Sequence, residues 1–476
     1  MSEKVAKNTA YMTIASILQK VIAFVYFTLI ARYIGAEGTG KYFFALSFTT
    51  IFVIFVDMGF NNVLIREAAK MKDKMQCFFS TVISAKMLFA VLTYIATIVT
   101  INLMGYPEQT RHLVYLSAVT MVFDSFHQSI YGTLRAIGDL RWEAMGIVGS
   151  QVLTLSLGSY FLFFDFPLIF LILAFTIPSI INVIYSGTVL FLNYNIKFKP
   201  KFHKPTFVHL GKIAVPFALA AIFERVYSNV DTVILSKMAG NESVGWYSIP
   251  KKISNAFRFF PSALIAAIYP RFSEHFKNNK EKLSYLFERG MKYLLIIAFP
   301  IAVGIMILAP DIIVQIYTKE YLNSILPLRV LMVAMIFSFV GFLTGGMLNA
   351  CEKQKTQTAI VGVTMVVNII LNLILIPEYG ILGASIAALI GNAILAIVGY
   401  YFIPKITEIS HNFLIISIVK IIFSVSVMAV LVWYSNIYFH FLVSIAVGAV
   451  VYPLVLFLTK TLTIKQAKEA IALVKK

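Results

Sequence analysis

The sequence predicts an all-α polytopic membrane protein with about fourteen transmembrane helices. Apolar residues make up 59% of its 476 residues and charged residues only 13%, which leaves too little polar surface for a water-soluble body of this size. Apolar stretches of about 18 residues or more recur along the chain, and each can cross the hydrocarbon core as a helix. Membrane-spanning strands would be shorter and would alternate in polarity, which these stretches do not.

The first apolar stretch predicts a retained helix, because it is longer than a signal-peptide core and lacks a small-residue cleavage site before Arg32. No long hydrophilic insertion separates the later stretches, so a soluble catalytic domain is excluded. The predicted spans are residues 11–31, 42–64, 80–104, 112–134, 144–164, 168–192, 212–236, 246–268, 291–316, 325–349, 357–376, 381–403, 413–434 and 438–459.

The net charge of +18 is explained by topology. Lys and Arg are concentrated in alternate connections, as in the cytoplasmic loops of membrane proteins, and nucleic-acid binding would not require this alternation. With an even number of helices, both termini are expected to be cytoplasmic in a multi-pass protein of the cytoplasmic membrane. Cys77 and Cys351 lie near predicted cytoplasmic helix ends, so we expect neither a disulfide nor a metal site.

An internal repeat relates the two halves of the chain. Residues 35–42 align without gaps with residues 240–247, with Gly, Glu, Gly and Tyr in common, and residues 132–136 echo residues 346–350 more weakly. We therefore predict two six-helix parallel-repeat lobes around a central cavity, followed by two C-terminal helices. The alternative is that short Gly-rich connections converge on one pattern. The predicted divisions are 1–200, 201–405, and 406–476 with its short cytoplasmic tail.

Basic residues inside predicted spans are the main candidates for a binding site. Buried charges are costly in a spanning helix and tend to face a bundle interior or a wet cavity. A cationic cavity would favour an anionic cargo, and a diphosphate-linked lipid fits, because Arg and Lys bind phosphate through charge-assisted hydrogen bonds. The candidate residues of this cationic cavity are Lys20, Arg225, Lys251, Lys252, Asn255 and Arg258.

Carboxylates occur in the same predicted helices. They are candidates either for neutralising the bases or for binding a coupling ion, H⁺ or Na⁺. Glu224 beside Arg225 is also consistent with a structural ion pair, and the long stem of Lys86 would allow it to reach the membrane interface. The candidate carboxylates are Asp57, Asp124, Glu224 and Asp231.

No catalytic signature rises above background. The sequence contains no phosphate-cradling Gly-Lys-Ser/Thr loop, no spaced His pair for a metal and no Ser-His-Asp pattern. We therefore expect no enzyme activity and no cofactor, apart from the coupling ion.

Three motifs carry a resemblance to a known family. Residues 229–235 with 240–247 resemble the seventh-to-eighth helix signature of the polysaccharide transporter family, the Wzx-like oligosaccharide-lipid flippases. Residues 368–377 with 380–384 are similar to that family's eleventh-to-twelfth helix hairpin, and residues 35–42 with 57–60 to its first repeat. The resemblance covers nearly the whole chain, although each motif is degenerate.

The resemblance implies the fold of the multidrug, oligosaccharidyl-lipid and polysaccharide exporter superfamily, two six-helix lobes with two peripheral C-terminal helices. It implies flipping of a lipid-linked oligosaccharide from the cytoplasmic to the outer leaflet by alternating access. Membrane lipids and polysaccharide assembly enzymes are the partners expected beside that substrate. Helices one, two, seven and eight line the cavity in such relatives, which coincides with Lys20, Arg225, Lys251 and Arg258.

Other functions remain open at this stage. An ion-coupled drug or cation antiporter of the same fold would need carboxylates to outweigh bases in its cavity. A flippase for a peptidoglycan lipid precursor would differ in cargo alone. A membrane glycosyltransferase or polymer ligase would need a long outer loop with catalytic residues, and no predicted outer loop is long enough.

Overall fold

The computed structural model describes residues 2–462, with side chains from residue 7 onward. The described part is built of helices and contains no β-strand. The tail predicted to be cytoplasmic lies largely outside the described residues. The helices are α1 (Ser2–Asp57), α2 (Phe60–Lys70), α3 (Met75–Leu103), α4 (Glu108–Ile137), α5 (Arg141–Phe163), α6 (Ile169–Tyr194), α7 (Lys204–Ala256), α8 (Phe259–Asn278), α9 (Lys280–Asp311), α10 (Ile325–Ala350), α11 (Gln354–Phe402), α12 (His411–Tyr438) and α13 (Phe441–Leu458).

Three of these helices are interrupted by a glycine with a positive φ angle. The interruptions lie at Gly35 in α1, Gly240 in α7 and Gly380 in α11, where a residue with a Cβ would be strained. In α1 the ring centroids of Phe27 and Phe43 are 6.2 Å apart. A straight helix would separate them by about 24 Å, so α1 is a hairpin of two helices.

One buried asparagine, Asn368, joins the two arms of the hairpin in α11, and a second, Asn372, bonds within the first arm. The Asn368 side chain donates to the Ala387 carbonyl oxygen at 3.1 Å, and the Asn372 side chain donates to the Asn368 carbonyl oxygen at 2.7 Å. A Cβ atom on Gly383 would lie 2.3 Å from the Leu375 carbonyl oxygen, so the two arms approach as closely as a glycine allows. The motif at residues 368–384 therefore has a structural role as a helix hairpin.

Ten helical stretches of the described residues are long and apolar enough to cross a membrane. Three of them have 51 residues or more, and each contains one of the glycine interruptions. Helix α4 is not among the ten, although it has 30 residues, because its sequence is more polar. The apolar helices predicted from composition are present.

The chain divides into two compact units, Met1–Gly245 (unit 1) and Trp246–Lys476 (unit 2). In unit 1 a core of large apolar side chains, including Phe60, Phe79 and Leu134, joins α2, α3, α4, α6 and the start of α7. In unit 2, α10 packs against α9 and α11, and α12 packs against α9 and α13. The lobe boundary predicted at residue 200 differs from this division and stays a prediction.

Two glycines, one in each unit, make similar close contacts with a neighbouring helix. In unit 1 a Cβ atom on Gly132 of α4 would lie 2.6 Å from the side-chain oxygen of Asn61 in α2. In unit 2 a Cβ atom on Gly346 of α10 would lie 2.9 Å from Ile265 in α8. Gly132 and Gly346 occupy matching positions of the weaker sequence repeat, residues 132–136 and 346–350. Each glycine allows its helix to pack closely on a neighbouring helix.

The stronger sequence repeat also forms a close contact within unit 1. A Cβ atom on Gly40 would lie 1.7 Å from the Asn241 carbonyl oxygen, and one on Gly245 would lie 1.9 Å from the Ala36 carbonyl oxygen. In the alignment Gly40 matches Gly245 and Ala36 matches Asn241, so the contact is reciprocal. Both glycines are needed because backbone atoms occupy the space of a side chain.

Candidate functional site

Two helices that the sequence predicts as continuous spans are broken near candidate residues. Helix α1 ends at Asp57, Met58 and Gly59 have φ angles of 45° and 76°, and α2 begins at Phe60. Helix α7 ends at Ala256 and α8 begins at Phe259. The predicted spans 42–64 and 246–268 each contain one of these breaks.

The break after α1 depends on close packing. A Cβ atom on Gly59 would lie 2.9 Å from the Ala214 carbonyl oxygen in α7, so only glycine fits there. Broken spanning helices commonly form substrate or ion sites in transporters, because they leave backbone groups available inside the membrane. Asp57 and Arg258 flank the two breaks, which gives both residues a position suited to binding.

Asp57 forms a buried ion pair with Lys86. The Lys86 ammonium lies 2.5 Å from Asp57 Oδ1 and donates to the Ser125 carbonyl oxygen at 3.0 Å and to Ser125 Oγ at 3.2 Å. The Lys86 side chain is 0% exposed. The sequence-based alternative that Lys86 reaches the membrane interface is therefore wrong, since a carboxylate and Ser125 satisfy the ammonium inside unit 1.

Asp124 belongs to a second polar cluster, on α4 and α6. Its Oδ1 atom accepts a hydrogen bond from Ser179 Oγ at 2.6 Å and lies 3.1 Å from His127 Nε2. The His127 ring also lies 5.4 Å from the ring of Tyr131. His127 was not among the residues predicted from the sequence, although its position three residues after Asp124 was a usable signal. The cluster therefore places a carboxylate, an imidazole and a hydroxyl group together between α4 and α6.

The candidate residues of α7 differ in exposure. Glu224 and Arg225 are exposed, and within the described residues no ion pair joins them, so the expected structural pair is not formed. Asp231 is buried, and its Oδ1 atom accepts from the Thr232 backbone N–H at 2.7 Å. The Asn229 side chain donates to the Arg225 carbonyl oxygen at 3.0 Å.

The basic candidates of unit 2 lie on consecutive turns before and at the second helix break. Lys251 is buried, and its ammonium lies 5.6 Å from the ring centroid of Tyr247. Lys252 is partly buried and Asn255 is exposed. The Arg258 guanidinium lies 5.3 Å from the ring centroid of Phe342 in α10. Two of these cations thus lie against aromatic rings, a contact that favours the charged form.

Lys20, the remaining basic candidate, is exposed on the first arm of α1 in unit 1. The sequence-predicted residues therefore separate into two groups. Asp57 and Asp124 are engaged by Lys86, His127 and Ser179 in unit 1. The exposed or aromatic-packed bases offer cationic groups that can hydrogen-bond to an anion.

A further buried carboxylate lies at the end of α2, outside the predicted spans. Glu67 Oε1 accepts a hydrogen bond from Lys70 at 3.0 Å and lies 3.6 Å from Arg66, while Oε2 lies 3.8 Å from His209. The hydrogen bond from Lys70 lowers the pKa of Glu67 most, and the neighbouring positive charges add to this, although burial opposes it. Glu67 thus holds the start of α7 against α2.

Comparisons with known proteins agree with these features. The profile of a family described as "Polysaccharide biosynthesis protein" matches residues 5–276, and one described as "MatE" matches residues 216–374. The capsular polysaccharide biosynthesis protein CapF of Staphylococcus aureus is 21% identical over 84% of this chain and 99% of its own length. The "probable low-salt glycan biosynthesis flippase Agl15" of Haloferax volcanii is 20% identical over 86% of this chain and 85% of its own.

Among solved structures, the lipid II flippase MurJ in an inward closed conformation superposes with a TM-score of 0.78. The two sequences are 18% identical, and the match covers 93% of this chain and 97% of that one. At this identity the likeness concerns the fold.

Proposed function

The chain belongs to the polysaccharide biosynthesis protein family, and from that premise we propose that it is a flippase for a lipid-diphosphate-linked oligosaccharide. It moves this lipid from the inner to the outer leaflet of the cytoplasmic membrane, where enzymes of surface polysaccharide or glycan assembly use it. Relatives named for capsular polysaccharide biosynthesis and for glycan flipping support this assignment.

Fourteen spans in two six-helix repeats, followed by α12 and α13, form the proposed architecture. Dividing the three long stretches at Gly35, Gly240 and Gly380 and adding α4 to the ten candidates gives this number. The similar glycine contacts of α4 on α2 and of α10 on α8 support the repeat. Both termini are then cytoplasmic, and the lobes are residues 1–200 and 201–405.

The cargo's diphosphate is bound in this proposal by the cationic candidates. Arg binds phosphate oxygens through two parallel hydrogen bonds, and Lys adds a point charge. The single observation that carries the proposal is that Arg258, beside a helix break, packs on Phe342 and has no carboxylate partner within the described residues. The proposed diphosphate ligands are Lys20, Arg225, Lys251, Lys252, Asn255 and Arg258.

The carboxylates have a separate proposed role. Asp57 balances the charge of Lys86, and Asp124 with His127 binds a coupling H⁺ or Na⁺, while Glu224 and Asp231 tune the charge of α7. Net transport requires that the cargo or the ion binds the inward and outward states with different affinity, because equal binding shifts no equilibrium.

Transfer of a labelled lipid-diphosphate oligosaccharide across proteoliposomes tests this function. We expect the purified protein to catalyse transfer, and Arg225→Ala and Arg258→Ala to lower the initial rate by about tenfold or more, as expected for loss of a charge-assisted hydrogen bond. Arg32→Ala, at an exposed arginine of the first hairpin, is the matched control and should transfer as the wild type does. Absence of transfer by the folded wild type with any such lipid would contradict a flippase function.

An ion-coupled antiporter of organic cations is the second candidate, and the match of the MatE profile over residues 216–374 favours it. It requires the Asp124 and His127 cluster to exchange a proton or Na⁺ for the cargo. Ion-dependent efflux of organic cations from the same proteoliposomes, lost in Asp124→Asn, would support it. The third possibility is a flippase for a peptidoglycan lipid precursor. Protein-dependent transfer of such a precursor in the same proteoliposomes would support it.

A further inference from the structure

A cluster of three basic side chains lies between α9 and α12 in unit 2 and shares no residue with the set assigned to cargo. Two hydrogen bonds show that the two helices run parallel. Before the start of α12, the Ser410 backbone N–H donates to Glu288 in the first half of α9 at 2.7 Å. Near the end of α12, the Asn436 side chain donates to Asp311, the last residue of α9, at 2.8 Å. The cluster occupies the first half of both helices. Its members are Arg289, Lys292 and Lys420.

Phe413 organises this basic cluster. The Arg289 guanidinium lies 4.9 Å from the Phe413 ring centroid, and the Lys292 ammonium lies 5.7 Å from it. The same guanidinium lies 5.1 Å from the ring of Tyr285. Arg289 and Lys420 are also close enough to Lys292 to repel its charge. The fold therefore brings like charges together and holds two of them on one aromatic ring.

Lys292 is 5% exposed, yet no carboxylate of the described residues forms an ion pair with any of the three bases. Glu288, the nearest carboxylate in sequence, accepts instead from the Ser284 hydroxyl at 3.1 Å and from the Ser410 N–H. Burial of an ammonium group beside two further cations is strongly unfavourable unless an anion is present. A bound anion would therefore offset the charge of this cluster.

The surroundings of the cluster indicate where this anion comes from. Ile415, Ile416 and Val419, which share α12 with Lys420, are each more than half exposed, and such a surface suits contact with acyl chains. In the proposed topology α9 and α12 both begin at the cytoplasmic side. Anionic lipid headgroups attract basic side chains at this membrane surface.

We propose that Arg289, Lys292 and Lys420 bind the phosphate of an anionic membrane phospholipid, whose acyl chains lie against the exposed face of α12. Arg289 presents two parallel N–H donors to the phosphate oxygens, and the two lysines supply point charges. The lipid offsets the buried charge of Lys292 and joins α12 to α9. This site shares no residue with the proposed cargo site and does not depend on the cargo's identity.

Binding of phosphatidylglycerol to the purified full-length protein in detergent, measured by native mass spectrometry and by thermal unfolding, tests the proposal. We expect phosphatidylglycerol to bind and to raise the unfolding midpoint of the wild type. Lys292→Met and Lys420→Gln should each weaken this binding by about tenfold or more. Lys282→Met, at an exposed lysine of the same helix, is the control and should bind as the wild type does. Equal binding by folded Lys420→Gln and wild type would overturn the assignment.

Three other ligands distinguish the source of the phosphate. Inorganic phosphate at the same concentration should give no shift of the midpoint, and phosphatidylcholine should give a smaller one because its headgroup is neutral overall. A full shift with inorganic phosphate alone would overturn the lipid assignment. A polyprenyl diphosphate should not displace phosphatidylglycerol. If it displaced phosphatidylglycerol equally from wild type and from Arg258→Ala, the basic cluster itself would bind the cargo, and the assignment to a membrane phospholipid would be overturned.

Discussion

Two buried lysines, one in each unit, have opposite surroundings. Lys86 in α3 is 0% exposed, and unit 1 supplies Asp57 and Ser125 to satisfy its ammonium. Lys292 in α9 is 5% exposed, its ammonium lies 5.7 Å from the ring centroid of Phe413, and Arg289 and Lys420 repel its charge. The first lysine completes its charge balance within the protein, whereas the second requires an anion from outside.

This difference separates structural charges from binding charges. A buried cation with an internal partner stabilises one arrangement of helices, and removal of either partner leaves a costly charge. A buried cation without an internal partner destabilises the ligand-free protein, and a bound ligand can offset this loss of stability. Mutation of each lysine and of its neighbours should therefore have opposite consequences.

The largest expected effect is that of Asp57→Asn. It leaves Lys86 buried without a carboxylate, so we expect a loss of about 3–5 kcal/mol in the free energy of unfolding. Thermal unfolding in detergent measures this. The double variant Asp57→Asn with Lys86→Met should recover most of the loss, because it removes both charges, and a double variant as unstable as the single one would contradict the ion pair.

A smaller effect is expected at the Lys86 hydrogen bonds. Ser125→Ala removes the hydroxyl acceptor at 3.2 Å but keeps the carbonyl acceptor at 3.0 Å, so the expected loss is about 1 kcal/mol. Ser186→Ala in α6 serves as the control, since its buried hydroxyl donates to the Asn182 carbonyl oxygen of its own helix. Equal losses in the two variants would mean that Ser125 does not act through Lys86.

The opposite sign is expected for Lys292→Met. In lipid-free detergent this change should raise the unfolding free energy by about 1 kcal/mol, because it removes an uncompensated buried charge. Saturating phosphatidylglycerol should abolish or reverse this advantage, since the wild type alone gains from the lipid. A variant less stable than the wild type without lipid would show that Lys292 has a partner within the protein.

The smallest expected effect is a pH dependence at Glu67. The folded state lowers the pKa of this carboxyl, mainly through the hydrogen bond from Lys70. Its contribution to stability is therefore present above its ordinary pKa and is lost as the pH falls through the lower folded-state value. The unfolding midpoint of the wild type should fall more steeply with acidification than that of Glu67→Gln. Parallel curves would contradict the role of Lys70.

Local composition predicted the helical membrane body because spanning helices require long apolar stretches. The aligned glycines at 35 and 240 also marked real interruptions, since a positive φ angle strongly favours glycine. The break at Phe257 and Arg258 carried a proline signal that was not used, because Pro261 has no N–H to donate to the Phe257 carbonyl oxygen four residues earlier. The break at Met58 and Gly59 carried a glycine signal that the apolar run obscured.

The charge partners were harder to predict, because they depend on contacts between distant segments. Lys86 and Asp57 lie on different helices, and depth alone placed Lys86 near the interface. Lys292 was counted among the neighbouring basic residues that were predicted to set the membrane topology. A signal was available in Lys420, a lysine inside the predicted span 413–434, since a charge at that depth favours a functional or paired role.

Recognition of the cargo through its diphosphate is tested most directly by comparing initial transfer rates for two lipids in wild-type proteoliposomes. The two lipids carry the same oligosaccharide and the same polyprenyl chain, but one has a diphosphate linkage and the other a neutral linkage. We expect rapid, protein-dependent transfer of the diphosphate lipid and transfer of the neutral lipid at no more than the protein-free rate. Equal protein-dependent rates for both lipids would contradict a cationic site for the diphosphate.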